Sequence, residues 1–179
     1  AREIGSTLPE KSLAIDLGPG EQTAVDTKTL PFVRALKKPI GFKSVDVNGQ
    51  FASDAANRIE SQTGLTSSYI IGDFLNEPLN ITTYQPTVYS LFGGLLCNSA
   101  KYKNLDPLDQ LTESFYNLTC NMNAGDYLVI TQDANQNKED LLKAYSHPDL
   151  EKYILSILHR IKRDFITETF APEAFEFLP

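Results

Sequence analysis

At 179 residues, 41% of them apolar, the chain is long enough for one domain with a sizeable core. Its formal net charge of −7 argues against a general binder of the phosphate backbone, which needs a basic surface, so nucleic acid is not an expected partner. No apolar run approaches the roughly 20 residues that span a bilayer, so no membrane partner is expected either.

The elements read in chain order as strands alternating with helices. Leu13 to Leu17 is a short apolar run closed by Gly18-Pro19-Gly20, the pattern of a buried parallel strand. Thr27 to Lys38 carries Leu30, Val33 and Leu36 at helical spacing and predicts a helix with Pro31 near its start. Ile40 to Val47 predicts a second strand, with Asp46 near its end. Phe51 to Thr63 predicts a helix through Ala52, Ala55, Ala56 and Ile59, stopped by Gly64.

Ser68 to Ile71 is the third strand, running into Gly72-Asp73-Phe74, and Thr87 to Phe92 is the fourth, ending in Gly93-Gly94. Asp106 is an N-cap for a helix reaching Met122, with Pro107 in its first position. Tyr127 to Thr131 is the fifth strand, ending near Asp133; Glu139 to Tyr145 and Leu150 to Phe165 are further helices. Such alternation implies an α/β fold with a doubly wound, mostly parallel sheet, both faces covered.

Two cysteines, Cys97 and Cys120, stand far apart and fit buried thiols in a reducing compartment, so the cytoplasm is expected. The basic cluster His159-Arg-Ile-Lys162-Arg163 reads as a solvated helix face, and the two sequons at Asn80 and Asn117 as silent. The chain carries no signal-peptide pattern, lacks an initiating Met and stops on Pro179. It is therefore expected to be a piece of a longer protein.

Ligands of open parallel sheets bind beyond the carboxyl ends of the strands. Asp16 to Gly20, Asp46, Asp73, Asn98 and Asp133 all fall there, and although each is an ordinary turn residue, their recurrence after successive strands marks a site. Gly18 and Gly20 permit a tight turn and close backbone approach to a ligand. A dinucleotide site would want Gly or Ala where Thr23 stands, and Glu21 places negative charge where a pyrophosphate would lie. S-adenosylmethionine has no phosphate and carries an ammonium and a sulfonium, which an acidic loop suits. Asp46 can accept from both ribose hydroxyls, Asp73 can meet an adenine amino group, and Phe74 can pack against the ring.

Asp16-Leu-Gly18-Pro-Gly20, Val45-Asp46 and Gly72-Asp73-Phe74 resemble the first three motifs of class I methyltransferases. Leu91-Phe-Gly-Gly-Leu-Leu-Cys-Asn98, Ala124-Gly-Asp-Tyr-Leu-Val-Ile130, Asp133 and Leu141-Leu-Lys-Ala-Tyr145 narrow the resemblance to the histidine-specific methyltransferase family. The resemblance implies a Rossmann-like core over residues 1–179 that binds S-adenosylmethionine, with a substrate domain lying largely beyond Pro179. It implies cofactor contacts from Gly18, Gly20, Asp46 and Asp73, and substrate contacts from Asn98. The methyl acceptor would be a small amine or amino acid, histidine-like in the family's pattern. Where the family tends to carry Asn on the helix around Tyr153 to Lys162, this chain has Ile154, Ser156 and Lys162. That departure supports a rival reading, a methyltransferase-fold scaffold without catalysis.

No catalytic base stands out; Tyr145 and Asp133 are candidates, with a packed Tyr and a turn Asp as the plainer readings, and Tyr145 is expected to contact the substrate. His147 and His159 are the only histidines and no Cys-His cluster has ligand spacing, so no metal is expected. Ser90 and Ser99 lack the strand-turn-helix context of a nucleophile.

Overall fold

The computed structural model describes residues 2–95, 106–132, 134–165 and 170–178. Five strands, β1 (Leu13–Leu17), β2 (Gly41–Asp46), β3 (Ser67–Ile71), β4 (Thr87–Leu91) and β5 (Tyr127–Ile130), form one sheet in the order β3-β2-β1-β4-β5. Every neighbouring pair is parallel. The chain therefore winds outward from β1 in both directions, and the switch in direction opens a crevice at the carboxyl ends of β1 and β4.

Residues Ala1–Asp133 form one compact unit holding the sheet, and Ala134–Pro179 form a second. In the first unit, alternate residues of the central strands feed two apolar clusters. Ala14, Phe42 and Val88 face one way and join Val25, Leu30, Phe32, Val33, Ala55 and Ile59. Ile15, Val45 and Tyr89 face the other way and join Phe74, Ile81 and Leu118. Both faces of β1 and β4 are thus covered, which is why their sequences read as continuous apolar runs. Full burial of a side chain such as Ile15 or Leu17 stabilises by about 1.5–3 kcal/mol.

The first cluster is roofed by helices. A short α1 (Arg2–Thr7) precedes β1; between β1 and β2 run α2 (Gln22–Ala24), a π-helical segment (Val25–Thr29) and α3 (Leu30–Val33). α4 (Gly49–Thr63) joins β2 to β3 and buries Ala52, Ala55, Ala56 and Ile59, with Asn48 accepting from the Gln50 amide at its start. The opposite face is covered by the loop after β3, which inserts Phe74, Leu79 and Ile81, and by α5 (Pro107–Thr119). Asp106 caps α5 by accepting from the Leu108 amide. The second unit holds α6 (Lys138–Tyr145), capped by Asn137, then α7 (Pro148–Phe165) and a 3-10 turn at Pro172–Ala174. No helix among the described residues is long and apolar enough to cross a membrane.

The strands fall where sequence periodicity places them, but the first crossover helix does not. It begins at Gln22 rather than Thr27 and ends at Val33 rather than near Lys38. Pro31 consequently lies well inside the helical run instead of at its start. Proline cannot donate to the carbonyl four residues back, and its ring crowds that carbonyl. The π-turn just before it, closed by the Leu30 amide on the Val25 carbonyl, takes up the misfit.

Gly64 closes α4 in the left-handed conformation, with φ of 74°. Open space surrounds the position of its absent Cβ, so conformation alone favours glycine there. Gly64→Ala should lower the unfolding free energy by about 1 kcal/mol, with Gly64→Asn costing less. Urea unfolding of the three proteins measures this; equal midpoints for all three would refute it.

Candidate functional site

The site is built around Asp16, third from the start of the central strand's buried run and only 1% exposed. Thr29 Oγ1, from the π-turn, donates to Asp16 Oδ2 at 2.5 Å. Ser90, Asp16's cross-strand partner on β4, places its Oγ 3.1 Å from Asp16 Oδ1 and 3.2 Å from the Ile15 carbonyl. One hydroxyl proton can serve only one of those two acceptors. A proton on Asp16 Oδ1 completes the network, because the carboxyl then donates to Ser90 while Ser90 donates to Ile15.

Burial pushes the Asp16 carboxyl up to about 6, against the hydrogen bonds from Thr29, Ser90 and the Leu17 backbone, which favour the charged form. The nearby Asp46 carboxylate adds to the rise.

Two residues beyond Asp16 the chain turns. Gly18 donates its amide to the Val45 carbonyl at 2.8 Å and takes φ of +71°. A Cβ there would collide with Leu95 Cδ1. Gly20, with φ of +68°, has open space where its Cβ would stand, so a ligand can approach its backbone. Asp46 ends β2 and is 8% exposed; its Oδ1 accepts from the Asn48 amide at 2.9 Å. Its own carbonyl accepts from the Gly72 amide, which ties the end of β3 to the end of β2. Asp73 then starts a turn, its carbonyl accepting from the Asn76 and Glu77 amides and its Oδ2 from Asn76 Nδ2 at 2.8 Å.

Because β3, β2 and β1 are neighbours in the sheet, Gly18, Asp46 and Asp73 follow adjacent strand ends along one edge. Phe74 departs from the expected placement of a ring free to face a ligand. It is 4% exposed and belongs to the apolar cluster beneath the sheet, with its Cζ 3.6 Å from where a Gly18 Cβ would stand. Asn98 and Asp133 lie outside the described residues. Tyr145 belongs to the second unit, half exposed, and lines a cavity of about 240 Å³ there with Lys138, Leu141 and Leu142. Among the described residues no cluster of His, Cys, Asp and Glu could hold a metal ion.

Asp16, Gly18, Gly20, Lys28, Thr29 and Phe92 line a cavity of about 130 Å³ beyond the strand ends. A larger, open groove of about 740 Å³ shares Gly20 and runs between Gln22, Thr23 and the α4 residues Phe51, Asp54 and Arg58. The Asp26–Arg58 ion pair, 2.8 Å between Oδ1 and Nε, joins the π-turn to α4 beside it. Sequence reading missed Thr29, Ser90 and Lys28. A buried Asp in mid-strand is the signal that hydroxyl partners must exist, though not where.

The model of the histidine-specific, S-adenosylmethionine-dependent methyltransferases matches residues 1–179. The uncharacterized protein y4iF of Sinorhizobium fredii is 26% identical over 170 residues, covering 92% of this chain and 54% of that protein. The chain thus spans about half the length of the curated relative it matches. Among solved structures, an rRNA methylase from Streptococcus thermophilus has 16% identity and a TM-score of 0.45, over 82% of this chain and 76% of that one. An S-adenosylmethionine-dependent methyltransferase from Thiobacillus denitrificans, in complex with S-adenosyl-L-homocysteine, has 16% identity and a TM-score of 0.43, over 89% and 61%.

The raised Asp16 carboxyl makes the stability of the fold depend on pH. Between the ordinary value of 3.8 and about 6 the folded protein holds a proton that the unfolded chain has released. The stability this supplies is complete below about pH 4 and is lost as pH rises through about 6. Other carboxylates titrate alike in both proteins, so the difference between wild type and Asp16→Asn isolates the effect. Asp16→Asn should gain on wild type by about 2 kcal/mol between pH 4.5 and pH 7. Urea unfolding across that range measures it, and a difference independent of pH would be incompatible with this origin.

Proposed function

Because the chain belongs to the histidine-specific, S-adenosylmethionine-dependent methyltransferase family, we propose that it transfers a methyl group from S-adenosylmethionine to a small amine or amino acid, with histidine as the first acceptor to test. The observation that carries this reading is the alignment of Gly18, Asp46 and Asp73 along three adjacent strand ends. The cofactor bears a methyl on an already activated sulfonium, so the protein's part is positioning and exclusion of water.

The residues present fit such a cofactor. Gly18 and Gly20 leave the loop free of side chains where a ligand must come close. Asp46 has one oxygen engaged by the Asn48 amide and the other directed to no described partner, which suits ribose hydroxyls. Asp73 keeps Oδ1 available for an adenine amino group while Oδ2 is fixed by Asn76. Phe74 supports the Gly18 turn from within the core, closing the floor beneath the ring position. A cation arriving near Asp16 would favour its charged form, toward which the donors Thr29 and Ser90 are already oriented. Asn98 and Tyr145 are assigned to the acceptor side, on their match to the family's motifs. The charge of −7 supports a small-molecule acceptor over nucleic acid, and the two-cysteine composition supports a cytoplasmic setting.

Calorimetry with S-adenosylmethionine should show saturable binding to the full chain, and Asp46→Ala should weaken it about tenfold or more, as expected for lost hydrogen bonds to a charged acceptor. No heat at millimolar ligand, or unchanged affinity in Asp46→Ala, would overturn the reading. Mass spectrometry of an amino-acid mixture incubated with cofactor then identifies the acceptor.

A further inference from the structure

The π-turn that brings Thr29 to Asp16 is a conformation in need of support. It is a helical turn widened by one residue, and slipping that residue out restores the commoner α-helix. Its far end is fixed, since Leu30, Phe32 and Val33 are buried in the core and Thr29 donates to Asp16. Its near end runs back through α2 to Gly20 and the glycine turn.

Asp26, the second residue of the π-turn, points away from the sheet centre and toward α4. Arg58 of α4 grips it with two nitrogens, Nε donating to Oδ1 at 2.8 Å and Nη2 to Oδ2 at 3.2 Å. The Gln22 side chain donates to the same carboxylate, so α2, the π-turn and α4 meet on one group. Arg58 holds that carboxyl below its ordinary value. The two side chains are 34% and 33% exposed, so the pair adds little to global stability. A two-pronged guanidinium contact nevertheless fixes direction as well as distance. α4 is itself tied to the site, because its cap residue Asn48 donates its amide to Asp46 Oδ1. Arg58 thus holds the π-turn to the helix that follows Asp46.

Resting on the cofactor reading above, we propose that Asp26 and Arg58 are positioning residues for S-adenosylmethionine. Their bridge keeps the π-turn in register, and with it Thr29 on Asp16 and the glycine turn beside Asp46. A π-turn rotates less per residue than an α-turn, so Asp26 and Thr29 diverge enough to reach α4 and β1 together. Slippage to a regular helix would swing them toward one direction and break one of the two contacts. The pair acts through Thr29 and not by touching the ligand, since the small cavity that Asp16 and Gly18 line includes neither residue.

The test is a double-mutant cycle on the full chain, with S-adenosylmethionine affinity read by calorimetry and folding by urea unfolding. Arg58→Ala should weaken binding about 3- to 10-fold while the unfolding midpoint stays near that of wild type. In a Thr29→Val background the same change should cost less than about twofold, because the positioned hydroxyl is already gone. Exchanging the charges, Asp26→Arg with Arg58→Asp, should recover most of the affinity. Should Arg58→Ala not fold, Arg58→Lys carries the test, since an ammonium cannot make the two-pronged contact and should bind the cofactor less tightly than wild type. Wild-type affinity in the folded Arg58 variant, equal losses in both Thr29 backgrounds, or no recovery on charge exchange overturns the positioning role and leaves the cofactor reading standing. A wild type that does not bind S-adenosylmethionine overturns both.

Discussion

A carboxyl group held at the centre of a parallel sheet constrains everything around it. Asp16 is flanked by β2 and β4, covered by the π-turn, and almost without access to water. An ionised carboxylate in such a place costs several kcal/mol unless it is hydrogen-bonded or neutralised. Thr29 and Ser90 must therefore stand where they do, and in satisfying Asp16 they bind the crossover helix and β4 to the central strand. The Gly18 turn begins two residues later, so the constraint that fixes the carboxyl also fixes the loop that follows.

An apolar residue at position 16 would fill the same space at lower cost, since buried polar networks seldom add stability over well-packed hydrocarbon. The carboxyl is better understood through its neighbours. Asp46 raises its proton affinity from the next strand end, and Asp73 continues the acidic row one strand further. A row of acidic ends with a glycine turn between them repels a pyrophosphate and accommodates a cation and hydroxyl groups. That is the charge pattern of an S-adenosylmethionine site and not of a dinucleotide site, and it agrees with the family the chain belongs to.

The sheet was readable because strands buried on both faces must be apolar throughout, and α4 because Ala52, Ala55, Ala56 and Ile59 repeat at helical spacing before a glycine stop. The crossover helix was not. Gln22 to Lys28 has no apolar period, so Pro31 looked like a beginning when it stands within the helical run. Phe74 follows a turn Asp and so looked available to a ligand, but the chain after β3 forms no helix and uses Phe74 and Ile81 to cover the sheet. The partners of Asp16 lie 13 and 74 residues away in sequence, and no local pattern connects them.

The irregular helix matters most for what the site can distinguish. The glycine loop contributes by lacking side chains, so it can admit a ligand but discriminates little. Discrimination needs fixed charges, and those come from Asp16, Asp46 and the π-turn. A regular α-helix could not carry Pro31 without losing a hydrogen bond and crowding a carbonyl. The π-turn absorbs that misfit and in the same few residues delivers a hydroxyl to Asp16 and an ammonium to the cavity wall. A residue that would ordinarily weaken the helix thus stands beside the geometry that gives the site its polarity.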